Sequence, residues 1–154
     1  MVRAWRCGIR VLPEERRPAR PGVAPWPAAG PRVTIGPMPR TVVIVDDHAR
    51  FRRSARKLLE LDGFAVIGEA GDGASGVEVV ERLRPDVVLL DVALPDTSGL
   101  DLVPALSAIS DVVLVSSRDP RDVAGPVRRS EALAFIPKDQ LTGEAVATAL
   151  ERRR

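Results

Sequence analysis

Two short apolar runs that each end in aspartate constrain this chain more than any other feature. Thr41-Val42-Val43-Ile44-Val45 delivers Asp46 and Asp47, and Asp86-Val87-Val88-Leu89-Leu90 delivers Asp91. Runs of four or five aliphatic, mostly β-branched residues read as strands buried on both faces. Such strands belong to parallel sheets covered by helices, which carry their sites at the C-terminal edge. If the two runs are neighbours, Asp46, Asp47 and Asp91 meet there. Clustered carboxylates repel and raise one another's pKa unless a cation sits among them. An all-oxygen ligand set that keeps part of its aqueous shell suits Mg²⁺.

From residue 41 the chain alternates strand and helix patterns. Phe51, Ala55, Leu58 and Leu59 recur at helical spacing, and Asp62-Gly63 ends that helix. Phe64 to Ile67 reads as a strand, and Val77, Val80 and Leu83 mark a helix that stops before Pro85. After Asp91, Ser98-Gly99 opens a helix carrying Leu100, Leu102, Val103 and Leu106. Val112 to Val115 and Leu133 to Ile136 are the last two strands, and Thr142 caps a final helix reaching Leu150. Asp119-Pro120 starts the helix between those strands, but Gly125-Pro126 falls inside it. Interior proline costs roughly 3 kcal/mol, so this helix is predicted to be short, broken or shifted. Five strands alternating with helices predict a doubly wound α/β domain with a parallel sheet.

The first 40 residues differ. They hold eight of the 14 prolines, both tryptophans, and eight arginines against two glutamates, with no periodic apolar pattern. Such a segment cannot bury enough surface to offset its ordering entropy. Residues 1–40 are therefore expected to be a disordered Pro/Arg-rich extension and residues 41–154 the folded domain. Met38, directly before the first strand, offers an alternative translation start that would leave residues 1–37 untranslated. Arg3, Arg6 and Arg10 interrupt any apolar secretory region. Outside the extension, acidic residues outnumber basic ones 19 to 15, unlike a nucleic-acid binder. Cys7 is the one cysteine, so a reducing compartment is the default. No apolar stretch is long enough to span a membrane. A cytoplasmic location follows as an expectation.

Asp46-Asp47, Asp91, the Ser116-Ser117 pair and Phe135-Ile136-Pro137-Lys138 stand in order at the ends of successive strands. In this the chain resembles the receiver domain of two-component response regulators over residues 41–152. Asp46-Asp47-His48 before an arginine-rich helix is most similar to receivers that usually precede a helix-turn-helix output domain. The resemblance implies a flavodoxin-like sheet of strand order 2-1-3-4-5. It also implies that Asp91 accepts a phosphoryl group from a histidine kinase or phosphotransfer protein. Asp47 would bind Mg²⁺ directly together with Asp91 and the Ala93 backbone carbonyl, and Asp46 through water. Ser116 would hold a phosphoryl oxygen, Lys138 would supply a point charge, and Ser116 with Phe135 would form the switch. Leu94 replaces the family's usual methionine, and Ser117 its usual small alanine.

Sixteen residues follow Lys138, enough for a final helix and no DNA-binding domain. A single-domain signalling protein, not a conventional enzyme, is therefore expected. Its output would be a surface change at residues 119–139, used for a downstream protein partner or a phosphorylation-dependent homodimer. Two rivals are weaker. A phosphorylation-independent interaction module does not require the acidic triad. A Mg²⁺-dependent aspartyl-phosphate phosphatase of the haloacid dehalogenase type requires a second Asp where Ala93 stands, and a capping insertion. His48 reads as a surface or helix-start residue, because no second His or Cys supports a metal role.

Overall fold

The computed structural model describes residues 38–153. Strands β1 (Thr41–Val45), β2 (Ala65–Ala70), β3 (Val87–Asp91), β4 (Asp111–Ser116) and β5 (Ala134–Pro137) form one sheet in the order β2-β1-β3-β4-β5. All four pairings are parallel. The order reverses between β1 and β3, so the crevice at their C-terminal ends is the topological switch point, where ligands bind in such sheets. Val45 pairs with Leu90 and Asp91 with Val115, which carries Asp46 and Asp91 to the same edge.

Five helices cover the sheet: α1 (Ala49–Leu61), α2 (Gly73–Leu83), α3 (Gly99–Ser107), α4 (Pro120–Arg129) and α5 (Gly143–Glu151). Alternation along each strand divides the core in two. Val42, Ile44, Leu89, Val113 and Ile136 pack on Ala55 and Leu59 of α1 and on Val146 and Leu150 of α5. Val43, Val45, Leu90 and Leu114 pack on Val80 of α2, Val103 and Leu106 of α3 and Val123 of α4. The central strands are buried on both faces, which is why they read as unbroken apolar runs.

Boundaries follow local chemistry. Asp72, Ser98, Asp119 and Thr142 each accept a backbone N–H of the helix they open. Gly63 (φ +88°) follows α1 in the left-handed region. Arg84 ends α2 at φ 44°, a conformation that costs an L-residue on the order of 1 kcal/mol.

Helix α4 corrects an expectation. It runs unbroken for ten residues, with Pro126 inside it. Pro126 and Asp122, whose carbonyl loses its helical donor, both lie on the exposed face. Water can therefore satisfy that carbonyl, while Val123 and Val127 hold the other face to the core. Pro104 in α3 is exposed in the same way. Strand β2 is also longer than predicted, reaching Ala70 instead of Ile67. Of the proposed extension, residues 1–40, residues 1–37 lie outside the described residues.

Gly99 is the glycine on which the site leans hardest. A Cβ there would collide with the Asp91 carbonyl oxygen, and it would also meet Val92 Cα at 3.2 Å. Both are backbone atoms beside the site, so neither can yield cheaply. Gly99→Ala is expected to destabilise the domain by about 1–3 kcal/mol, the usual cost of overpacking. Urea denaturation should show a lower midpoint at unchanged slope.

Candidate functional site

Strand ends and the loops after them build the site. Asp46 follows β1 and Asp91 ends β3, and their side chains are fully and almost fully buried. Ser116 ends β4 paired with Pro137, so Lys138 enters one residue beyond it. The Lys138 Nζ lies 2.6 Å from Asp46 Oδ2 and 3.0 Å from Asp91 Oδ2. The ammonium thus bridges two carboxylates that would otherwise repel each other across the switch point. Asp91 Oδ1 also accepts the Ala93 N–H at 3.0 Å.

The electrostatics follow from this geometry. Burial raises the Asp91 pKa above the usual carboxylate range, and nearby Asp46 adds to the rise. The Ala93 N–H and the Lys138 ammonium oppose it without cancelling it. For Lys138, burial is the largest single influence and acts to lower the pKa, but hydrogen bonds to Asp46 and Asp91 outweigh it and the net shift is upward. The lysine therefore stays charged.

Sequence reasoning and structure agree on which side chains converge. Asp46, Asp47 and Asp91 come together, and with His48 they each offer a ligand atom within 4.8 Å of the others. Asp46 Oδ2 is buried without a hydrogen bond of normal geometry, although Lys138 stands close to it. A donor set of carboxylates around one under-satisfied buried oxygen fits a small divalent cation. Ser116 is buried, and its Oγ accepts the Arg118 N–H at 3.0 Å, which leaves its proton to donate elsewhere. Ser117 is exposed and lines a groove with Ser116, Pro137 and Lys138. Phe135 is half-buried on β5, opposite Leu114, on the α4 side of the sheet.

Four contributors were not assigned to the site from sequence, and one of them, His48, was read as a surface or helix-start residue. Arg52 donates from Nη1 to the Asp46 carbonyl at 2.6 Å and from Nε to Glu69 at 3.3 Å. The Phe51 ring lies 4.6 Å from the Lys138 Nζ, in cation–π range. The signal for both was present: a helix starting two residues after Asp47 puts positions 51 and 52 one turn above the site. Asp96 accepts the Gly73 and Ala74 N–H groups at 2.8 and 3.0 Å, tying the loop after Asp91 to the start of α2. These two bonds hold the Asp96 pKa below its ordinary value. Finally, the His48 Nδ1 lies 2.9 Å from Asp47 Oδ1 and 3.2 Å from Asp46 Oδ1.

Comparison with known proteins agrees with this arrangement. Residues 42–150 match the family model of the response regulator receiver domain. The transcriptional regulatory protein PdtaR of Mycobacterium tuberculosis is 33% identical over 103 residues, covering 66% of this chain and 50% of that protein. The nitrate/nitrite response regulator protein NarP of Escherichia coli is 54% identical over 69 residues, covering 44% of this chain and 32% of NarP. The chain spans about half the length of the first curated relatives it matches. Among solved structures, the signal receiver domain of NarL from Mycobacterium tuberculosis is 33% identical with a TM-score of 0.65. That match covers 75% of this chain and 97% of the NarL domain.

Removing the shared ammonium should expose what it offsets. Lys138→Met is expected to cost about 3 kcal/mol, because it leaves two buried carboxylates facing each other unpaired. Adding Asp91→Asn should return part of that loss, since one of the facing charges goes. A double-mutant cycle by urea denaturation measures the coupling.

Proposed function

This chain belongs to the response regulator receiver domain family, and on that premise we propose that Asp91 accepts a phosphoryl group from a histidine kinase or phosphotransfer protein. The observation that supports this most is the Lys138 ammonium held between Asp46 and Asp91. A positive charge fixed beside a buried carboxylate is what an incoming phosphoryl group needs. In the transfer, an Asp91 oxygen bonds to phosphorus as the donor's P–N bond breaks, and the electron pair leaves with the imidazole nitrogen. The product is an acyl phosphate.

Three other groups share the work. The Ser116 hydroxyl donates its free proton to a phosphoryl oxygen. Lys138 turns from Asp46 toward the same group and offsets its charge. Asp47, Asp91 and the Ala93 carbonyl would hold Mg²⁺ directly, and Asp46 through water. When bound, the ion supplies further positive charge to the phosphoryl oxygens.

The signal then leaves through the protein's own surface, in this reading at residues 119–139. Helix α4 buries one side chain, Val123, as α2 does with Val80, whereas α1 and α3 bury two each and α5 three. It lies between β4, which ends in Ser116, and β5, which carries Phe135. A helix held by so few core contacts shifts at low cost, which suits an element with two arrangements. A downstream protein partner or a second copy of the chain would read the shift. A cytoplasmic location is part of the same proposal; no helix among the described residues is long and apolar enough to cross a membrane.

Two experiments test this reading. With Mg²⁺ and acetyl phosphate, the protein should gain one base-labile phosphoryl group by intact mass, and Asp91→Asn should abolish the gain. Equal labelling of that variant would refute the acceptor assignment. Hydrogen exchange with a beryllofluoride mimic should change protection within residues 119–139. Unchanged exchange there, with the mimic demonstrably bound at Asp91, would sink the output surface.

A further inference from the structure

His48 stands apart from what the phosphoryl-transfer reading uses. Its side chain is 66% exposed, yet its ring is turned back onto the acidic cluster. The Nδ1 lies 2.9 Å from Asp47 Oδ1 and 3.2 Å from Asp46 Oδ1, and the His48 backbone N–H donates to Asp46 Oδ1 at 2.8 Å. The backbone bond anchors the residue, and α1 begins immediately after it, with Arg52 N–H donating to the His48 carbonyl at 3.0 Å. The ring is thus presented from the first turn of a helix instead of from a free loop. One ligand atom from each of Asp46, Asp47, His48 and Asp91 fits within a 4.8 Å span, and the buried Asp46 Oδ2 in the same cluster is met by the Lys138 ammonium at 2.6 Å.

Carboxylate oxygens alone favour hard cations, whereas an imidazole nitrogen favours the later first-row metals, with affinity rising toward copper and zinc. We propose that His48 is a fourth protein ligand, which makes this pocket a site for a first-row transition dication as well as for Mg²⁺. The proposal rests on the acidic cluster being the metal site of the phosphoryl-transfer reading. On binding, the Nδ1 lone pair takes the metal and the ring proton resides on Nε2. The hydrogen-bonding contacts from Nδ1 to Asp46 and Asp47 are then replaced by shared coordination. A transition dication held this way competes with Mg²⁺ for the same three carboxylates.

Zn²⁺ is the probe, titrated by calorimetry into the untagged full chain, with Mg²⁺ titrated separately. A Cys7→Ser background removes the one thiol, a competing zinc ligand. Loss of outer partners of a metal ligand typically costs 10–100-fold in affinity, so loss of a ligand itself should lower the Zn²⁺-to-Mg²⁺ affinity ratio by at least about tenfold in His48→Gln. The chain has one histidine, so its imidazole ¹⁵N resonances are unambiguous. Zn²⁺ should shift Nδ1 strongly at one equivalent. An unchanged affinity ratio in His48→Gln, or Nδ1 unmoved by saturating Zn²⁺, would overturn the proposal. Asp47→Asn separates this from failure of the underlying reading. If that variant binds both ions as tightly as the parent, the acidic cluster is not the metal site and both readings fall.

Discussion

One ammonium between two buried carboxylates is the interaction on which the rest depends. Asp46 is fully buried and Asp91 nearly so, and each would be costly to hold charged on its own. Lys138 offsets both, at 2.6 and 3.0 Å, from the far side of the sheet. It can do so because β5 is the edge strand at one end of the order, with β4 alone between it and the β1–β3 crevice. Lys138 leaves β5 pointed into that crevice and is braced by the Phe51 ring. The arrangement is poised for exchange. In the proposed transfer, a metal ion would take over a carboxylate from the lysine, which would leave the ammonium to pair with the phosphoryl group.

Precision at this edge comes from carboxylates used as backbone acceptors elsewhere. Asp96 holds the start of α2, Asp62 accepts the Gly143 N–H at the start of α5, and Asp86 accepts the Thr41 N–H at the start of β1. Each reaches across 22 residues or more to fix another element. A charge-assisted hydrogen bond to a helix N-terminus satisfies a free donor and complements the helix dipole. The residues flanking Asp91 are thereby clamped: Asp86 before β3, Asp96 after it, and Gly99 pressed against its carbonyl. In β4, α4 and β5, among the described residues, no backbone N–H is held by a carboxylate from a distant part of the chain.

This division explains what was legible in the sequence. Buried parallel strands write themselves as apolar runs, so β1, β3 and β4 could be read directly, with Asp46 after β1, Asp91 ending β3 and Ser116 ending β4. Edge strands are less explicit. Strand β2 continues through Gly68 and Glu69, which interrupt the apolar run, so its end was placed too early. Contributions made by spacing within a helix, such as Phe51 and Arg52, were hidden because their residue types also suit a core position and a solvated face. His48 was hidden differently. Its meaning depends on where a ring points, and a lone histidine in sequence carries no direction.

The proline in α4 shows where a local rule gives way to tertiary context. Pro126 removes one hydrogen bond, and on a buried helix the orphaned carbonyl would exact most of its desolvation cost. On α4 that carbonyl belongs to exposed Asp122, so solvent can replace the lost donor, and the Asp119-Pro120 start is favourable enough to keep the helix continuous. The same substitution of water for a helical bond has a second effect. It leaves one internal bond fewer in a helix whose one buried side chain is Val123; α2 likewise buries one side chain, Val80, α1 and α3 two each, and α5 three. Proline here does not break the helix. The helix stays continuous for ten residues between the strands that end in Ser116 and carry Phe135, because the face that lost its hydrogen bond is the face that water reaches.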